Sequence, residues 1–119
     1  MISGIDGPAA RILLVDADPV LAGLLEEWLA PLGCRLVEER PDLILADVAF
    51  PRQGGSQVLK RLGADYPGIP VLALSSNFFA RIEGSGAVAR ALGVAGVLPK
   101  PLAREALVAA VRAQLPQLA

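Results

Sequence analysis

Four short apolar runs punctuate the chain, each closing on a polar residue: "ILLVD" at Asp16, "LILAD" at Asp47, "VLALS" at Ser75 and "GVLPK" at Lys100. None alternates strictly between apolar and polar positions, so each reads as a strand buried on both faces, the state of strands inside a parallel sheet. Helical periodicity fills the intervals. Asp18 and Pro19 form an N-cap and first-turn pair, and Val20, Leu21, Leu24, Leu25, Trp28 and Leu29 fall on one face of a helix that stops near Pro31 and Gly33. Ser56 caps a second helix with Val58, Leu59 and Leu62 inward, ending about Gly63. A short alanine-rich helix follows from about Gly86 to Leu92, with Gly93 as its left-handed stop. The last helix spans about Leu102 to Leu115, with Leu107, Val108, Val111 and Leu115 as its stripe. This alternation predicts an open α/β sheet with helices on both faces, in which ligands bind beyond the carboxyl ends of the strands. Asp16, Asp47, Ser75 and Lys100 are therefore expected to converge on one mouth.

Length and composition narrow the chemistry. With 119 residues, 54% of them hydrophobic, the chain suits one globular unit; residues 1–10 read as a loose N-terminal segment and 11–119 as a single domain. Eleven Lys and Arg against twelve Asp and Glu leave a net charge of −1, with no surplus to hold a phosphate backbone, so nucleic acid is not expected as a direct partner. No apolar run approaches the ~18 residues of a membrane span, and "MISGIDGPAA" lacks the basic-then-apolar order of a leader; the expectation is a cytoplasmic chain off the membrane. The absence of histidine removes Ser/His and Cys/His catalysis and every His-ligated metal. Cys34, the single cysteine, reads as a packing residue. Carboxylates, hydroxyls and lysines must carry any chemistry. A nucleotide binder is disfavoured because the first strand opens into "DADP", whose carboxylates would repel phosphate, and not into a glycine-rich cradle.

In this order the four strand ends resemble the receiver domain of two-component response regulators, over roughly Arg11 to Gln114. "RILLVDADP" resembles that family's first strand and acidic turn, and "PDLILADVAFPRQGG" the stretch around its phosphorylated aspartate, down to the Pro51 and Gly55 spacing. "IPVLALSS" resembles the strand carrying a threonine or serine, and "GVLPKPL" the strand carrying a lysine followed by proline. The resemblance implies a flavodoxin-like parallel sheet, Asp47 as phosphoryl acceptor from a sensor histidine kinase or phosphotransfer protein, Ser75 as hydrogen-bond donor to the phosphoryl group, and Lys100 as its counter-charge. It also implies Mg²⁺ near Asp16 and Asp47, a cis Lys100–Pro101 bond, and a module that is not an enzyme beyond accepting and self-hydrolysing a phosphoryl group. These roles suit phosphoryl transfer, which depends on position and charge stabilisation.

The chain departs from the family pattern in three places. Where the family carries a second adjacent acid that binds magnesium directly, this chain has Ala17, so Mg²⁺ binding is expected to weaken, and Asp18 is better placed to cap the first helix than to substitute. Val97 stands where the family often has an aromatic switch residue, and "SNFFARIEGSG" is a few residues longer than usual, with Phe78 and Phe79 either facing a partner or folding over the core. Only Arg40, Pro41 and Asp42 separate Glu39 from Leu43, where the family has room for a helix. If "CRLVEE" were a six-residue strand ~20 Å long, parallel to the first, three residues spanning at most ~11 Å would not return the chain to the start of "LILAD". The sheet is therefore expected to be reduced or rearranged around residues 33–42. Three arrangements remain open: an extended connection beneath four strands, an unusual edge strand (antiparallel, or exchanged with a second copy in a homodimer), or a first helix moved to the other face. In each, the missing helix uncovers apolar surface for a dimer or a downstream protein partner. The function read from the sequence is an atypical receiver acting through protein–protein contact; the alternative is a phosphorylation-independent scaffold or dimerisation domain with an idle acidic site.

Overall fold

The structure, a computed structural model, describes residues 10–47, 55–75 and 93–118. Five strands form one sheet: β1 (Ala10–Val15), β2 (Cys34–Val37), β3 (Leu43–Asp47), β4 (Val71–Ser75) and β5 (Gly96–Pro99). They lie in the order β2-β1-β3-β4-β5, and every neighbouring pair is parallel. β1 opens at Ala10, fully buried, one residue inside the segment expected to be loose. The central strand β3 has four consecutive buried residues, Leu43 to Ala46, because helices cover both of its faces and neither pleat meets water.

Three described helices supply those covers: α1 (Pro19–Leu29), α2 (Gly55–Asp65) and α3 (Arg104–Gln114). On one face, Leu25 and Leu29 of α1 and Leu107 and Val111 of α3 pack with Ile12, Leu43, Leu45, Leu72 and Leu74. On the other, Leu59 and Leu62 of α2 pack with Ile44, Ala46, Val71 and Ala73. The alternation of Ile12, Leu43 and Leu45 against Ile44 and Ala46 is the two-residue period of a strand divided between two cores.

α1 is narrower than its periodicity suggests. Asp18 caps it, its Oδ1 accepting from the Leu21 N–H at 2.7 Å, and the helix tightens into a 3₁₀ turn at Ala30–Leu32 before Gly33 adopts φ 85°. Val20 is 81% exposed and Leu24 38% exposed, so neither belongs to the core stripe. α2 is described from Gly55, which puts Ser56 inside its first turn, and it runs on to Asp65, past Gly63. The short helix expected over 86–92, together with Phe78 and Phe79, lies outside the described residues; Gly93, its expected stop, has φ 75°.

Residues 33–42 correct the geometric expectation drawn from chain length. β2 is a parallel edge strand beside β1, not a loose connection or an antiparallel or exchanged strand, and α1 shares its face with α3 in place of moving across. Two assumptions fail. The strand has four residues, not six, and it sits low against β1, with Val37 level with Leu13 while Leu43 is level with Ile12. The chain must therefore drop by one residue and cross two strand spacings, roughly 10 Å, which five linking residues cover with slack. No helix forms among residues 38–42, as their number requires. Asp42 fixes the re-entry: its N–H donates to the Arg11 carbonyl at 2.7 Å and its Oδ2 accepts from the Arg11 N–H at 2.8 Å.

Candidate functional site

A parallel sheet places all strand C-termini on one edge, and the four polar residues occupy it. Asp47 is the last residue of β3 and Ser75 the last of β4; Asp16 and Lys100 each follow their strands by one position. Val15 pairs with Ala46, Asp47 with Leu74 and Ser75 with Pro99, so the residues step evenly across β1, β3, β4 and β5.

Lys100 and Asp47 meet. The Lys100 ammonium lies 3.0 Å from both Asp47 Oδ1 and Oδ2, the only ion pair among the described residues. Its setting is partly dry: the Asp47 side chain is 15% exposed and that of Lys100 30%. A pair so placed is screened less than one on the open surface, and the ammonium stands where negative charge would accumulate on a group bound to Asp47. The Lys100–Pro101 bond is cis, as the resemblance implies.

Asp16 forms no ion pair with Lys100 among the described residues. Its backbone is left-handed, φ 61°, a conformation that aspartate tolerates better than most residues, and its side chain is exposed. Asp18 is committed to the helix cap. The side chain of Ser75 lies outside the described residues. Val97 on β5 is half-buried against the α2-side core, where it serves packing.

The described residues fit a divalent cation poorly. Magnesium sites draw on one or two carboxylates plus water in near-octahedral array. Here Ala17 offers a methyl group, both Asp47 oxygens are engaged by the ammonium, and no group of three or more His, Cys, Asp or Glu among the described residues is placed to hold a metal ion. Asp16 and Asp47 are the two carboxylates that would have to serve. No helix among the described residues is long and apolar enough to cross a membrane.

The sequence missed Asp42, whose clamp on Arg11 positions β3 and so Asp47 at its far end. The only signal was an acid just before an apolar run, which also suits a plain turn.

The family model of the response regulator receiver domain matches residues 12–112. The chain is 30% identical to the probable transcriptional regulatory protein TcrX of Mycobacterium tuberculosis over 92% of its own length and 51% of TcrX. It is 31% identical to the Regulator of RpoS of Escherichia coli over 77% of its length and 30% of that protein. It thus spans about half or less of these curated relatives. Among solved structures, the signal receiver domain of an HD domain-containing protein from Pseudomonas fluorescens superposes with a TM-score of 0.70 at 22% identity, covering 92% of this chain and 96% of that one. The receiver domain of the sensor histidine kinase PA1611 from Pseudomonas aeruginosa, described with magnesium coordinated in its active-site cleft, gives 0.68 at 25% identity, covering 90% and 98%.

Proposed function

The chain belongs to the response regulator receiver domain family, and from that premise we propose that it is a phosphoryl-accepting receiver with Asp47 as acceptor and a weakened cation site. Receiver domains work in two-component signalling with histidine kinases or phosphotransfer proteins. The observation that carries the reading is the Lys100 ammonium, 3.0 Å from both oxygens of an aspartate at the end of the central strand.

In the proposed transfer, an Asp47 carboxylate oxygen attacks the phosphorus of a phosphohistidine. The P–O bond of an acyl phosphate forms as the P–N bond breaks, its electron pair returning to the imidazole. Both reactants are anionic, and the ammonium, already beside the carboxylate, offsets charge as it spreads over the phosphoryl oxygens. The Ser75 hydroxyl, at the end of the adjacent strand, would donate to one of them. Water later cleaves the acyl phosphate, which restores Asp47 and releases inorganic phosphate. The output is a change in protein–protein contact, not catalysis on a separate substrate.

Ala17 supports a second reading, in which the site is idle and the domain acts as a scaffold. One experiment separates the two. The protein is incubated with a small acyl phosphate across a wide Mg²⁺ range, and its mass is followed. The proposal expects one phosphate per chain, lost in Asp47→Asn. No gain at any Mg²⁺ concentration, with uptake restored by Ala17→Asp, supports the scaffold.

A further inference from the structure

The face of β1 and β2 opposite α1 carries no helix from residues 38–42, and its side chains show what it suits. Ile12 and Leu36 point into the core beneath α1 and α3, so their neighbours Arg11, Leu13, Arg35 and Val37 lie on the other face. Leu13 is drawn toward the α2-side core, but Val37 belongs to neither hydrophobic cluster. Arg11 pairs in register with Arg35 across the two strands. Like charges directly opposite one another destabilise a sheet unless an anion joins them. The Arg11 Nε is buried without a hydrogen-bond partner among the described residues.

Arg11, Arg35, Leu36, Val37, Glu38 and Glu39 line a groove of about 370 Å³ here. The two glutamates would be the natural counter-ions, yet neither forms an ion pair with either arginine among the described residues. The groove thus holds two cations and two anions beside a half-buried valine, with no ion pair among them within the described residues. A uniformly acidic partner would meet the glutamates, and a basic one the arginines. A second copy, related by a two-fold axis, presents each sign to its opposite, which is the self-complementarity an isologous interface requires.

We propose that the β1–β2 face opposite α1 is a dimer interface with a second copy of this chain, in which the arginines of each protomer pair with the glutamates of the other around Val37. The contact replaces the cover that a helix after β2 would give. It leaves β2 paired with its own β1, so no strand is exchanged.

Sedimentation velocity between about 10 and 500 µM chain, at low and high salt, tests the proposal, since a homodimer is populated by mass action. The expected result is a concentration-dependent dimer that salt weakens. Arg35, Glu38 and Glu39 are exposed, so charge reversals there leave the fold intact, which circular dichroism checks. Arg35→Glu alone, and Glu38→Arg with Glu39→Arg together, should each weaken self-association by roughly tenfold or more, because two symmetric attractions become repulsions. An equimolar mixture of the two variants should regain part of the dimerisation, since the reversed charge at position 35 meets the reversed charges at positions 38 and 39 and the second variant's Arg11 and Arg35 meet the first variant's Glu38 and Glu39, which leaves only the first variant's Arg11 facing like charge. A wild-type monomer throughout the range overturns the proposal. So does a dimer that ignores both reversals, or a mixture that recovers nothing.

Discussion

On the proposed function, Ala17 is the residue on which cation binding turns. Two unit charges about 4 Å apart interact by roughly 4 kcal/mol at an effective dielectric of 20, a divalent ion by more, and water in place of the carboxylate returns part of that. Ala17→Asp is therefore expected to tighten Mg²⁺ binding by roughly one to two orders of magnitude in a calorimetric titration. Asp18, one residue on, is taken by the Leu21 N–H. Asp18→Ala should cost about 1 kcal/mol in thermal or urea unfolding and leave phosphate uptake intact; loss of uptake at unchanged stability would instead place Asp18 in the site. The cap was legible in the sequence because it is local, an acid followed by proline and an apolar run. The left-handed turn at Asp16 was not, because nothing in neighbouring residue types demands it.

At the scale of elements, β2 and its return to β3 carry the instructive error. Chain length correctly excluded a helix after β2, but it could not reveal how low β2 sits against β1, and that offset shortens the return path. Asp42 holds the re-entry through its paired bonds with Arg11 and also acts on Cys34. Burial, and then the charge of Asp42, push the Cys34 thiol above its usual range. A raised pKa leaves less thiolate at a given pH, and thiolate is the reactive form. The pH midpoint of Cys34 alkylation should therefore lie above that of a free thiol, and Asp42→Asn should move it down by removing the negative charge. The same substitution turns a charged acceptor into a neutral one and should cost about 1 kcal/mol of stability by urea titration.

For the whole molecule, stability rests on two thin cores divided by one sheet. Leu24 and Leu25 are sequence neighbours on the same predicted face, yet Leu25 is fully buried and Leu24 is 38% exposed. Leu25→Ala should cost about 2–5 kcal/mol, a large share of the 5–15 kcal/mol typical of a domain, and Leu24→Ala under about 1 kcal/mol. Equal losses in urea unfolding would show that α1 is rotated from the orientation seen here. The helical period identified which residues share a broad face, but how much of that face is covered depends on where α3 and the sheet lie.

The sequence by itself determined the alternation of strands and helices, the polar residue at each strand end and, through the one-way run of a parallel sheet, the edge on which Asp16, Asp47, Ser75 and Lys100 collect. Those features depend on periodicity and chain direction, which local composition encodes. Only the tertiary structure decided that the Lys100 ammonium reaches both oxygens of Asp47 across β4, that β2 slides down to shorten its return, and that two arginines face each other beside a valine outside both cores. These outcomes depend on register and reach between residues far apart in the chain. Such distances are set when the strands pair, and residue order alone does not fix them.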